Sequence, residues 1–135
     1  FLEKILDIRY IYNNYWTTTS VSAGAVKCLS NFSSFIKNNI NNIDNYKNFI
    51  DIGGNDSTFF NYFKINKNIK INIDPNASGP KEIIKIKRFF DDIDLKEFKN
   101  VKKIICSSHT IEHLQNPNDL ISKISESMVC EFEFV

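Results

Sequence analysis

Residues 49–60 read FIDIGGNDSTFF, from Phe49 to Phe60. A short apolar run, Phe49 to Ile52, carries a single carboxylate, Asp51. It breaks at Gly53-Gly54-Asn55-Asp56 and resumes as an aromatic stretch, Phe59-Phe60-Asn61-Tyr62-Phe63. The chain has only four glycines, and two of them stand here side by side. A buried strand, a tight turn and a helix are the elements this order of residues predicts.

Working outward, the same alternation continues. Residues 47–52 form the strand and 57–64 a helix with an aromatic face. Ile69 to Ile73 (IKINI) is a second strand, ending at Asp74-Pro75. Residues 83–90 (IIKIKRFF) read as a strand, although periodicity alone does not separate it from a helix. Residues 101–107 (VKKIICS) are a further strand. Residues 118–128 form a helix capped by Asn118 or Asp119, with Leu120, Ile121, Ile124 and Met128 facing inward. Residues 129–135 (VCEFEFV) alternate as a strand does. Before the glycine turn, residues 2–12 have helical spacing, and NNYWTTTSVSAG is rich in turn formers and hydroxyls. Residues 26–40 place Val26, Leu29, Phe32, Phe35 and Ile36 on one helical face, and residues 38–48 are a polar connection.

Strands alternating with helical segments predict an α/β fold with a mainly parallel sheet, helices on both faces and right-handed crossovers. Residues 1–46 read as an N-terminal helical segment and covering region, and residues 47–135 as the core. The helix ISESM runs into VCEFEFV with no Gly, Pro or Asn between them. A helix normally ends in a turn residue, so residues are expected to be missing near 128–130.

Composition narrows the classes of function. With 135 residues the chain fits one domain. A net charge of +1 makes it no electrostatic match for nucleic acid or an anionic membrane. No apolar run approaches the roughly 20 residues of a membrane span. The start, FLEKILDIRYIY, carries charges throughout and is a poor signal peptide. Cys28, Cys106 and Cys130 are odd in number and widely spaced. That pattern argues against disulfides or a zinc motif and fits a reducing, cytoplasmic compartment.

The glycine turn lies at the carboxyl end of the first strand, where doubly wound sheets bind ligands. It is neither GxGxxG nor GxxxxGK[ST], and it supplies no lysine for a phosphate. It offers acceptors instead: Asp51, Asn55 and Asp56. These suit a cationic amine and sugar hydroxyls better than a pyrophosphate. Asp74, at the tip of the second strand, is placed to take a ribose hydroxyl pair. A glycine turn without phosphate features, followed by a ribose acid, points to a nucleoside.

These motifs together resemble a class I S-adenosylmethionine-dependent methyltransferase. The chain is most similar to the sugar C-methyltransferase branch, whose first motif reads approximately IGxNDG. DIGGNDS at 51–57 matches it except that Ser57 replaces the last glycine. INIDP at 71–75, RFFDD at 88–92 and IICSSHTIEHLQNP at 104–117 resemble that branch's later motifs. YWTTTSVSAG at 15–24 resembles its cofactor-covering segment. The resemblance spans roughly residues 12–135.

It implies a Rossmann-like fold that binds S-adenosyl-L-methionine. Gly53 and Gly54 would pack on the methionine part, with Asp51 near its amine and Asn55 in the same loop. Asp74 would bind the ribose, and Phe90 and Asp91 would flank the adenine. Ser107 and Ser108 would lie near the methionine end, His109 or His113 near the transferred methyl, and Tyr15 and Ser20 over the cofactor. The branch's zinc-binding cysteine cluster, its last two strands and its C-terminal substrate region have no counterpart here. With the family's order, the sheet would run 3-2-1-4-5 and would be incomplete.

His109 and His113 are the only histidines, four apart. Either suits a general base, with His113 favoured by its place in the motif of the resembled family and Glu112 as an orienting group. The same histidines suit backbone hydrogen bonding, and their spacing suits a metal, but no third ligand is nearby. Three functions follow: methylation of a small molecule, foremost a sugar or nucleotide-sugar; methylation of RNA or protein; or a non-catalytic binding module. An exposed sheet edge would favour homo-oligomers or a missing segment.

Overall fold

The computed structural model describes residues 8–12, 17–64, 67–98, 101–114, 116–127 and 132–134. The fold is α/β. Five strands form one all-parallel sheet: β1 (Asn48–Ile52), β2 (Ile69–Ile73), β3 (Ile84–Ile86), β4 (Lys103–Ser107) and β5 (Phe132–Phe134), in the order β3-β2-β1-β4-β5. That is the expected 3-2-1-4-5. β1 is central because its five residues are all buried, as an apolar strand covered on both faces must be.

Side chains alternate across the sheet and build two cores. On one face, Phe49 of β1 and Ile104 of β4 pack with Leu29, Ile36 and Ile40 and with Phe59, Phe60 and Phe63. On the other, Ile50, Ile52, Ile71, Ile73 and Ile105 pack under Phe90, Ile93, Leu95, Leu120 and Ile124. The first face is covered by helix α2 (Ala23–Asn39) and the second by helix α3 (Pro117–Glu126). A five-residue helix α1 (Ile8–Tyr12) precedes them.

Several elements differ from the sequence reading. Residues 57–64 form a 3₁₀ turn, Thr58–Tyr62, not an α-helix. Ser57 enters it in left-handed backbone (φ 63°), and Phe63 leaves it extended, so there is no room for a second turn. Short helices nucleate poorly, and three buried rings fix this one instead. The strand expected over 83–90 is only three residues long. On α2, Ser33 is buried where Phe35 was expected; Phe35 is 55% exposed. The inward stripe is Leu29-Ser33-Ile36-Ile40, to which Phe35 is lateral.

α3 is capped by Asn116, whose side chain accepts from the amide of Asn118, with Pro117 at the first position. Leu120 and Ile124 face inward as expected, but Ile121 is 53% exposed. Met128 and the junction at 128–130 lie outside the described residues, and so does Tyr15. No helix among the described residues is long and apolar enough to cross a membrane.

Two lysines inside strands also have an account. Lys103 is fully buried and donates to the carbonyls of Phe98 (2.8 Å) and Ser127 (3.0 Å). Lys70 donates to the carbonyl of Lys64. Each ammonium satisfies chain carbonyls at the amino end of the sheet, away from the site.

Candidate functional site

The parallel sheet sends the ends of β1, β2 and β4 to one edge, and a cavity of about 310 Å³ opens there. Asp51, Gly53, Gly54 and Asn55 form its β1 wall, Asp74 its β2 wall, and Ser108, His109, Thr110 and His113 its β4 wall. Leu29 and Phe59 lie at its base. An adjoining slot of about 50 Å³ shares Tyr12, Gly53, Asp74, Thr110 and His113 with it. Ile52, Ile73, Pro75, Phe89, Phe90 and Leu114 make that slot apolar, with Asp91 at its border. A polar chamber joined to an aromatic slot is suited to a ligand with a polar body and a flat apolar end.

The glycines have definite steric roles. Gly53 has φ +81°, and a Cβ there would stand 1.9 Å from the Thr110 hydroxyl oxygen. Thr110 uses this space to donate to the carbonyl of Ile52 (3.1 Å). The room above Gly53 therefore accommodates Thr110, which the sequence reading did not single out. A Cβ on Gly54 would meet the Asn72 carbonyl oxygen at 2.6 Å and an Asp51 oxygen at 2.7 Å.

Ser57, where the resembled motif has glycine, occupies the left-handed conformation that favours glycine. Its hydroxyl offsets that cost by donating to the carbonyl of Ser78 (2.6 Å) and accepting from the Asn72 amide (2.8 Å). Ser57→Ala is expected to lower stability by about 1–3 kcal/mol, because buried partners lose their bonds. Ser57→Gly should cost about 1 kcal/mol less than Ser57→Ala, since it relieves the backbone. Urea unfolding of the two variants measures the difference.

Asp51 is buried on the Phe49 face, between Asn72 of β2 and Cys106 of β4. Burial first, and then the charge of Asp74, push its carboxyl from 3.8 up to about 7. Burial also raises Asp74, against hydrogen bonds from the amides of Asn76 (2.7 Å) and Asn55 (3.1 Å). Those bonds make Asp74 both a turn former and a cavity wall, and they tie the ends of β1 and β2 together. Each of its oxygens keeps a further lone pair.

Asn55 and Asp56 serve mainly the chain itself. The Asn55 side chain accepts from the amide of Thr19 (3.2 Å) and donates to the carbonyl of Thr17 (3.2 Å). Asp56 accepts from the amides of Ser20 (2.8 Å) and Thr58 (3.1 Å). Burial would raise the Asp56 carboxyl, but these bonds outweigh it and hold it below the ordinary value. Asp56 was expected to face a ligand and instead holds residues 17–21 over the loop. Ser20 takes part through its backbone amide and its side chain and does not line the cavity.

Beyond β4, His109 is left-handed (φ 56°) and its Nδ1 lies 2.9 Å from the Ser108 hydroxyl. The stretch from 109 to 113 is not a continuous helix, because only Ile111–His113 form a 3₁₀ turn. Both histidines nevertheless line the cavity, and His113 packs edge-on against Tyr12 with centroids 6.3 Å apart. Glu112 is exposed and is not among the lining residues. Ser107 turns back to the Ile52 carbonyl at 3.4 Å. Phe90 is buried, and Lys123 of α3 holds its turn by donating to the carbonyls of Phe90, Asp91 and Ile93.

Comparison with family models, with curated proteins and with solved structures finds no match to this chain.

Proposed function

We propose that the chain binds S-adenosyl-L-methionine and is a methyltransferase acting on a small molecule, foremost a sugar or nucleotide-sugar. The observation that carries this reading is the charge pattern of the cavity. Two buried carboxyls, Asp51 and Asp74, face a chamber that no lysine or arginine among the described residues lines. The apolar slot beside Phe90 opens from the same chamber. A ligand that answers both is cationic at one end and aromatic at the other, with hydroxyls between. The sheet order, with the site at the reversal beside β1, supports a Rossmann-like reading of the α/β fold.

In this reading Asp51 takes the ammonium end, Asp74 the ribose hydroxyls, and Phe90 and Phe89 the face and edge of the base. When bound, the cofactor supplies an electrophilic methyl on a sulfonium. The protein's contribution is to hold donor and acceptor in line and to exclude water. His113, at the rim between chamber and slot, is positioned to remove the acceptor's proton as the new bond forms. The absence of lysine and arginine from the cavity wall, among the described residues, favours a small acceptor over RNA.

Asp74→Ala is expected to weaken S-adenosylhomocysteine binding by more than about tenfold, as loss of hydrogen bonds to a charged group implies. Calorimetry on both proteins measures this. Equal affinities would remove Asp74 from the site.

A non-catalytic binding module is favoured by one observation: Glu112, the group that would orient His113, stands outside the cavity. His113→Ala separates the two. Turnover lost by about a hundredfold or more with binding retained supports catalysis; wild-type binding without any transfer supports the module.

A further inference from the structure

Asn72 lies inside β2, fully buried, between Ile71 and Ile73. Its amide nitrogen donates to the carbonyl of Asn55 (2.9 Å) and to the Ser57 hydroxyl (2.8 Å). Both donors are thus used, and they fix which way the amide points: a flipped amide would set oxygen against the Asn55 carbonyl. The amide oxygen is left buried with no hydrogen-bond partner among the described residues. A lone buried acceptor is costly, of order 1–3 kcal/mol. Its neighbour across the sheet is Asp51, its register partner. The Asn72 oxygen and an Asp51 oxygen converge on the small space beneath Gly54, 2.6 and 2.7 Å from the point a Cβ there would occupy.

Two acceptor oxygens facing one buried space are reconciled by a proton. We propose that in the ligand-free protein Asp51 is protonated and donates to the Asn72 carbonyl oxygen, and that it releases this proton when a ligand's ammonium group takes its place. The second half rests on the cofactor reading above. The exchange balances: a neutral carboxyl and an ammonium become an ion pair, and one proton leaves through the cavity to solvent.

The surroundings of Asp51 support the neutral form. Asp74 faces it from the end of β2 and adds negative charge. Cys106 faces it from β4, its thiol held well above the usual range by burial and by Asp51 itself. His109, His113 and Tyr12 line other walls of the chamber. From α2 and its cap, Ser22, Ala25 and Leu29 line the chamber, and none of them titrates. Asp56, in the same loop, is occupied by Ser20 and Thr58. Among the described residues, no lysine or arginine lines the chamber to draw the proton off.

Two measurements test this. In the ligand-free chain with ¹³C-carboxyl aspartate, the Asp51 signal, assigned by its loss in Asp51→Asn, is expected to titrate near neutrality. An ordinary carboxylate midpoint overturns the shared proton. Calorimetry with S-adenosylhomocysteine in buffers of different ionisation heat is the second. It should show close to one proton released at about pH 6, almost none at about pH 8, and affinity rising about tenfold between them. Methylthioadenosine, which lacks the amino-acid end, should bind without proton release. Binding of S-adenosylhomocysteine at about pH 6 with no buffer dependence overturns the exchange. If neither nucleoside binds, the cofactor reading falls, and with it the exchange, while the carboxyl titration alone decides the shared proton.

Discussion

Asp51→Asn is expected to make the ligand-free protein more stable at neutral pH, by about 2–4 kcal/mol, and to weaken its binding of a cationic nucleoside. Folding moves this carboxyl from water into a buried site beside the charge of Asp74, and its titration rises from 3.8 to about 7. Between those values the folded state holds a proton that the unfolded state has lost. Stability therefore falls as pH rises through that window and levels off above it. Asp74, also raised, adds in the same direction. The amide has no proton to lose, still donates to Asn72, and removes the Asp51 part of the slope. Urea midpoints from about pH 5 to 8 measure it. Equal slopes for the two proteins would contradict the account. The same substitution removes the carboxyl proposed to meet a ligand's ammonium group, so stability and binding should move in opposite senses.

Phe49→Ala is expected to cost about 3–5 kcal/mol, a large share of the 5–15 kcal/mol that holds an ordinary domain together. Phe49 is fully buried in β1, the central strand. Its ring meets those of Phe59, Phe60 and Phe63 edge-on, with centroids 5.7, 5.6 and 4.7 Å away. These contacts stand in for the α-helix that the β1–β2 crossover lacks. Deleting the ring removes apolar burial and the aromatic pairs together, and leaves a space that β1 and α2 cannot both close. Loss of the tight 3₁₀ turn should displace Gly54 and Asn55 above it, so ligand binding should fall along with stability. A loss below about 1.5 kcal/mol in urea unfolding would show that this cluster is not the keystone of the first core.

The sheet was legible because its signals are local. FIDI, IKINI and KIICS are short apolar runs, and alternation of strands with helical segments implies parallel pairing. Asp51 and Asp74 were legible for the same reason: each is an acid at or beside a strand's carboxyl end. The helix expected over 57–64 was not borne out, because Ser57's left-handed backbone and the packing of three rings are tertiary facts. The Asn116 cap had a signal that went unread, since Pro117 marks a first helical position. Asn72 also had one: a lone amide inside an isoleucine strand needs an explanation. Thr110 had none, as its place over Gly53 depends on the left-handed turn at His109. Asn55 and Asp56 were recognised as acceptors, but which groups they accept from depends on where residues 17–21 return to the loop.

The central claim is that this cavity holds a nucleoside with a cationic side chain. A crystal structure of the protein grown with S-adenosylhomocysteine tests it most directly. The account predicts the amine beside Asp51, the ribose hydroxyls on Asp74 and the base in the slot against Phe90. Density for the ligand elsewhere, or a chamber that stays without it at saturating concentration, would contradict the account.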